Sequence, residues 1–247
     1  MSHVDDGKAP VRLSVVMPAY DELLNLRELL PGIASIIALI PHVTAEINVV
    51  VPGFTQEPEL AEIRSLGGLP VLRGPTDAFG DAIRSGIAAA DPASDVVIIM
   101  DADGSHDPST IVRLLEASDG AHVVVASRYT KGGTTDNSFA LRTMSRTLNT
   151  AYRIILGIRC KDVSTNFKLY RRADLAQITL TCKDFDVVEE LLFRLKMLHG
   201  KALVIKEIPD RFFERTHGVT KRRLGPFVVS YIKTLLYLSW LGRRHRA

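Results

Sequence analysis

The chain has 247 residues, 46% of them apolar and 24% charged, with a net charge of +3. That composition excludes a disordered, fibrous or collagen-like chain, and the length suffices to bury a core without disulfides or a structural metal. Two cysteines, Cys160 and Cys182, are too few for a disulfide framework and point to a reduced, cytoplasmic setting. The charge is uneven: from Arg194 to Ala247 thirteen Lys/Arg face three Asp/Glu, so the last quarter carries +10 and the remainder −7. A basic end of this kind suits an anionic partner (phosphate, lipid headgroup or nucleic acid) or is a solvated tail.

Strands and helices alternate along the first half. Leu13–Met17 reads as a buried strand, and Asp21 as the cap of a helix with Leu26, Leu29, Leu30, Ile33 and Ile37 on one face. A second strand, Ile47–Val51, ends in a Pro-Gly turn. A helix at Glu59–Leu66, a short strand at Val71–Leu72 and an Ala-rich helix at Ala78–Ala90 follow. Then come strand Val96–Met100, a helix at Ser109–Ala117 capped by Asp107 and Pro108, and strand His122–Ala126. The second half predicts helices at Phe139–Ile155 and Asp184–His199 and strands at Leu203–Ile208 and Arg211–Glu214. This alternation predicts an α/β fold with a mostly parallel sheet covered on both faces, whose ligands sit at the carboxyl ends of the strands. No dinucleotide-binding glycine fingerprint follows the first strand, and no nucleic-acid module is recognisable.

Four blocks carry chemistry. Asp101-Ala102-Asp103 directly follows the strand VVIIM, so two carboxylates converge at a strand end as Mg²⁺ or Mn²⁺ require; turn capping is the alternative. Ser127-Arg128-Tyr129 ends another strand, where a guanidinium matches a diphosphate or is simply an exposed Arg. In Asp162–Arg172 the polar start suits a substrate loop and the end reads as an edge strand; on its own the segment favours a purely structural role. Phe213–Lys221 is a cationic, Gly-containing loop that either closes over phosphates or is a solvated turn.

Taken in order with VVMPAYDELLNL and the spaced Gly80, Ala82 and Gly86, these blocks resemble the family 2 glycosyltransferases, and within them the dolichol- or polyprenyl-phosphate mannose synthases. The resemblance runs from Leu13 to Lys221. It implies one glycosyltransferase A-type domain, residues 1–223; the residues beyond it read as an amphipathic basic helix and tail, 224–247. It implies an inverting, metal-dependent transfer of a hexose, mannose first, from a nucleotide diphosphosugar to a polyprenyl phosphate. By that resemblance Pro18, Ala19, Tyr20 and Glu22 line the nucleotide site. Asp101, Ala102 and Asp103 meet the donor, with Asp101, Asp103 and Ser105 on Mg²⁺ or Mn²⁺. Arg128, Arg142, Arg215 and Lys221 bind phosphates, Asp162 lies in the substrate loop, and Glu190 is the carboxylate near the acceptor. The sequence departs from the family in four places. Val51-Pro52-Gly53 lacks the Asp that usually ends the second strand, Asp21 replaces Asn, Ser105 replaces Gln, and Asn166 replaces Gly.

A polyprenyl phosphate oxygen is already anionic and needs no strong base; a hydroxyl acceptor would require one, with Glu190 or Asp162 as candidate. Phe227–Leu241 is too short to span a bilayer, but its Trp and Tyr beside Arg243, Arg244 and Arg246 suit a helix lying on an anionic membrane, peripheral on the inner face. The alternative is a helix packed on the domain or on a second copy in a homodimer. A soluble acceptor, and a non-catalytic sugar-nucleotide-binding protein, are the competing functions.

Overall fold

The strand–helix alternation resolves into a seven-stranded sheet in a computed structural model that describes residues 9–217 and 224–244. In chain order the elements are β1 (Val11–Pro18), α1 (Leu23–Ala38), β2 (Val43–Val51), α2 (Glu57–Ser65), β3 (Leu69–Leu72), α3 (Phe79–Ala89), β4 (Val96–Ile99), α4 (Thr110–Glu116) and β5 (Val123–Ser127). After these come β6 (Thr134–Thr135), α5 (Phe139–Leu156), β7 (Lys168–Arg171), α6 (Arg172–Leu175), α7 (Val187–His199), β8 (Ile205–Pro209), β9 (Arg211–Phe212) and α8 (Leu224–Arg244).

The sheet order is β3-β2-β1-β4-β7-β5-β8. Every pairing is parallel except those of β7, which runs antiparallel to both β4 and β5. Successive strand residues point to opposite faces, so both faces are apolar and both must be covered. Val15, Met17, Val49, Val51 and Ile98 face α1, α2 and α4; Val16, Val50, Val97 and Ile99 face α3, α5, α7 and α8. Gly86 lets α3 approach closely, because a Cβ there would run into the Val16 side chain.

Some boundaries differ from the sequence reading. β2 begins at Val43, four residues early, because that stretch pairs with Val11–Ser14. Glu22, not Asp21, holds the N-cap position of α1, and Asp21 precedes it at a φ of 62°. Of Arg211–Glu214 only Arg211–Phe212 is a strand, paired with β6 rather than with the main sheet.

No helix among the described residues is long and apolar enough to cross a membrane. α8 buries Tyr231, Leu235 and Leu238 against the domain, and Tyr152 Oη donates to the Tyr231 carbonyl at 2.8 Å. Ile232, Leu236, Tyr237 and Trp240 remain exposed on the same helix.

Candidate active site

β4 delivers Asp101, Ala102 and Asp103 to the carboxyl edge of the sheet. Gly104 then turns the chain at φ 77°, in the left-handed region that suits glycine. The segment 213–216 runs alongside: Phe213 N–H donates to the Ser105 carbonyl at 2.9 Å and Thr216 N–H to the Asp103 carbonyl at 3.2 Å. A Cβ on Gly104 would collide with Thr216.

Those bonds bring three charged residues from distant parts of the chain together. Arg215 Nη1 lies 2.9 Å from Glu22 Oε1, and its Nη2 lies 3.3 Å from Asp103 Oδ2. Asn25 Nδ2 donates to the other Glu22 oxygen at 2.6 Å. Burial raises the Glu22 pKa and the Asp103 charge adds to this, while Asn25 and Arg215 oppose it. Asp103 Oδ1 accepts from Ser105 N–H at 3.1 Å and from Ser105 Oγ at 2.5 Å. Ser105 is buried, and its hydroxyl proton is committed to orienting Asp103.

Asp101 is held from the other side. Asn166 Nδ2 donates to its Oδ1 at 3.0 Å, and His106 Nε2 lies 3.5 Å from its Oδ2. His106 is buried between the rings of Phe167 and Phe212, with Nδ1 3.8 Å from Asp210 Oδ2. Burial alone would lower its pKa, but the hydrogen bonds and charges of Asp101 and Asp210 outweigh it and raise the value to about 9. His106, Asp210, Asn25 and the role of Asn166 were not found from sequence. His106 was in view, three residues past Asp103, but its partner Asp210 is remote in sequence.

One other predicted cation and one predicted carboxylate are tied to each other, and a second carboxylate is engaged elsewhere. Arg128 binds Asp162 bidentately, Nε to Oδ2 at 2.8 Å and Nη2 to Oδ1 at 2.7 Å, and its backbone N–H adds a third bond to Oδ2. Both are buried. Burial would raise the Asp162 pKa, but Arg128 holds it below the usual range; Arg128 is shifted up by the same pairing against its own burial. Glu190 is buried too, accepting from Thr181 N–H and Oγ1, Cys182 N–H and Arg194. Burial raises its pKa, and these donors together bring it below the ordinary value. Arg142 sits half-buried on α5 against the ring of Phe139, at 5.7 Å. Lys221 lies outside the described residues.

At the ends of β1, β2 and β3 stands a third group. Pro18 and Ala19 are buried, and Ala19 N–H donates to the Val50 carbonyl. Tyr20 and Phe54 are exposed and meet edge to face at 6.3 Å. Arg73, unremarked in the sequence, is buried beneath them, donating to the carbonyls of Ala19, Val50 and Asp77.

The all-oxygen set of Asp101 and Asp103 fits a hard divalent cation. Asn166 Oδ1, buried beside Asp101 and without a hydrogen-bond partner among the described residues, adds an uncommitted oxygen to that neighbourhood.

The sequence profile described as "Glycosyl transferase family 2" matches residues 14–179. An undecaprenyl-phosphate mannosyltransferase of Micrococcus luteus is 36% identical over 159 residues, covering 62% of this chain and 64% of that protein. A dolichol-phosphate mannosyltransferase of Pyrococcus furiosus is 28% identical over 242 residues, covering 96% of this chain and 66% of its own length. The chain thus spans less than two thirds of both relatives. Among solved structures, glucosyl-3-phosphoglycerate synthase from Mycobacterium tuberculosis, in complex with Mg²⁺ and uridine diphosphate, is 20% identical. Its TM-score is 0.67, covering 93% of this chain and 79% of that one, a likeness of fold.

Proposed function

The chain belongs to glycosyl transferase family 2, and from that premise we propose that it transfers a hexose, mannose first, from a nucleotide diphosphosugar to a polyprenyl phosphate, with inversion. The observation that carries this reading is the pair Asp101/Asp103 at the end of β4, bridged through Arg215 to Glu22. Asp101 and Asp103 would hold Mg²⁺ or Mn²⁺, which when bound neutralises charge developing on the leaving diphosphate. Ser105 and Asn166 fix the orientations of the two carboxylates. Arg215, on the loop that lies against Gly104, supplies a cation at the same place.

The engagement of the two candidate bases bears on the acceptor. A hydroxyl acceptor must lose a proton, whereas a phosphate oxygen already carries charge. The two carboxylates considered for that task are engaged elsewhere, Asp162 by Arg128 and Glu190 by the 181–182 backbone and Arg194. Both are shifted toward the weaker-base side. This favours an anionic acceptor, as do the names of the two relatives, an undecaprenyl-phosphate and a dolichol-phosphate mannosyltransferase. The exposed Ile232, Leu236, Tyr237 and Trp240 of α8, beside Arg243 and Arg244, suit peripheral contact with the membrane that carries such a lipid.

The test is transfer of radiolabelled mannose from GDP-mannose to a polyprenyl phosphate in detergent with Mn²⁺. Product that disappears with chelator and in Asp103→Ala is expected. Transfer only to a soluble hydroxyl acceptor would overturn the reading of the acceptor, and no transfer with any donor would overturn the enzyme.

A further inference from the structure

The amino edge of the sheet, opposite the candidate active site, gathers two histidines and an aspartate from three elements. His122 immediately precedes β5, Asp174 lies on α6 and His199 ends α7. Val97 and Val123 both pair with Tyr170, so His122 stands level with Val96, five residues before Asp101. At about 3.3 Å per residue that is roughly 16 Å along the strands. The cluster is separate from the Asp101/Asp103 pair.

Three observations point to a ligand. A ring nitrogen of each histidine and a carboxylate oxygen of Asp174 all lie within 4.8 Å of one another. Asp174 is 6% exposed, and its Oδ2 has no hydrogen-bond partner among the described residues. A buried carboxylate oxygen without a donor is costly unless something outside the fold meets it. His199 Nε2 lies 3.1 Å from Asp174 Oδ1 yet makes no hydrogen bond. Around a tetrahedral ion with bonds of about 2.0–2.1 Å, ligand atoms stand about 3.3 Å apart, so these two atoms already have the spacing of two ligands.

His122 is the third. Its backbone is fixed, with its N–H donated to the Val204 carbonyl at 3.0 Å and its carbonyl accepting from Arg171 N–H at 3.2 Å. Its ring lies against that of His199, centroids 4.1 Å apart. Its Nδ1 accepts the Val204 N–H at 3.1 Å. A neutral imidazole has one lone pair, so ligation exchanges this bond for the ion. Val204 is 40% exposed, and water can take the place of the ring as partner of its N–H.

We propose that His122, Asp174 and His199 bind Zn²⁺, with water in the fourth position. Two imidazoles and one carboxylate suit this borderline ion, whereas Mg²⁺ and Mn²⁺ suit the all-oxygen pair at the other edge. Bound here, the ion ties β5, α6 and α7 together away from the site of transfer. The two metal sites then differ in donor set, in preferred ion and in role.

The experiment is calorimetric titration of the chelator-stripped full chain with ZnCl₂ in excess Mg²⁺, which competes for Asp101 and Asp103. The unaltered chain is compared with His122→Gln, His199→Gln, Asp174→Asn and Asp103→Ala. One Zn²⁺ per chain is expected in the unaltered protein and in Asp103→Ala, with affinity at least tenfold lower in the other three. Zn²⁺ should raise the melting temperature of the unaltered chain and of Asp103→Ala, but not of His199→Gln. Both histidines are only half-buried, so their glutamine variants serve even where Asp174→Asn fails to fold; melting in chelator checks this. Zn²⁺ affinity unchanged in both histidine variants, affinity lost in Asp103→Ala, or binding weaker than about 0.1 mM in the unaltered chain overturns the site. The readout is the metal alone, so its failure leaves the glycosyl-transfer reading standing.

Discussion

Arg215 stands between two carboxylates that would otherwise repel each other, Glu22 and Asp103. A divalent cation held by Asp103 does the same electrostatic work, so the arginine and the ion are partly redundant for stability. Replacing Arg215 by Met is therefore expected to lower the melting temperature by about 2–4 °C in chelator, and by less with Mn²⁺ present. Scanning fluorimetry in the two buffers measures the difference; equal losses would refute it. Asn166 acts on the other carboxylate. In Asn166→Gly, Asp101 loses the amide that orients it, and Mn²⁺ affinity should fall about tenfold, read by titration with the metal alone.

At the scale of elements, two glycines set how closely parts approach. Gly86 seats α3 on Val16 and Val50. Gly86→Ala is expected to cost about 1–3 kcal/mol in urea unfolding, as overpacking does. Gly104 combines a positive φ with the contact to Thr216, so Gly104→Ala should loosen segment 213–216 and carry Arg215 away from Asp103. Its signature is a raised KM for the donor together with a melting temperature lowered by a few degrees. The elements themselves could be read from the sequence, because short apolar runs and 3.6-residue periodicity directly express burial. Their partners could not. Periodicity does not say that Lys168–Arg171 is a central antiparallel strand rather than an edge, nor that Arg211–Phe212 leaves the sheet to pair with Thr134–Thr135. The site follows the same division. Asp101 and Asp103 were visible because they are local to one strand end. The engagement of Arg128 by Asp162, of Glu190 by residues 181–182, and of Asp101 by Asn166 and His106 arises from topology, which no local pattern encodes.

For the whole molecule, the buried ionisable groups on the α3/α7 side set a pH dependence. Glu189 lies fully buried beside Lys168, Asp186 and Tyr231; burial, against the pull of Lys168, raises its pKa from 4.5 to about 8. The folded chain therefore keeps a proton that the unfolded chain releases above 4.5. Between about 4.5 and 8, rising pH favours unfolding through this group. Glu189→Gln mimics the neutral form and is expected to raise the melting temperature at pH 8 by about 2–4 °C, with no gain at pH 4.5. A constant gain at both values would assign the effect to packing instead.

The placement of β7 has a consequence for how the chain is made. β4 and β5 are consecutive strands in sequence but are not neighbours; residues 168–171 lie between them. During synthesis, β3, β2, β1 and β4 can pair as soon as residue 99 has emerged, since all their partners are already present. The β4 edge then stays open for some seventy residues, until β7 arrives and joins the two halves. In that interval Asp101 and Asp103 already exist at a strand end, but Asn166 arrives only at its close and Arg215 later still. A nascent chain halted before residue 166 would thus display an unsealed strand edge and an acidic pair still lacking Asn166 and Arg215, a state in need of a chaperone.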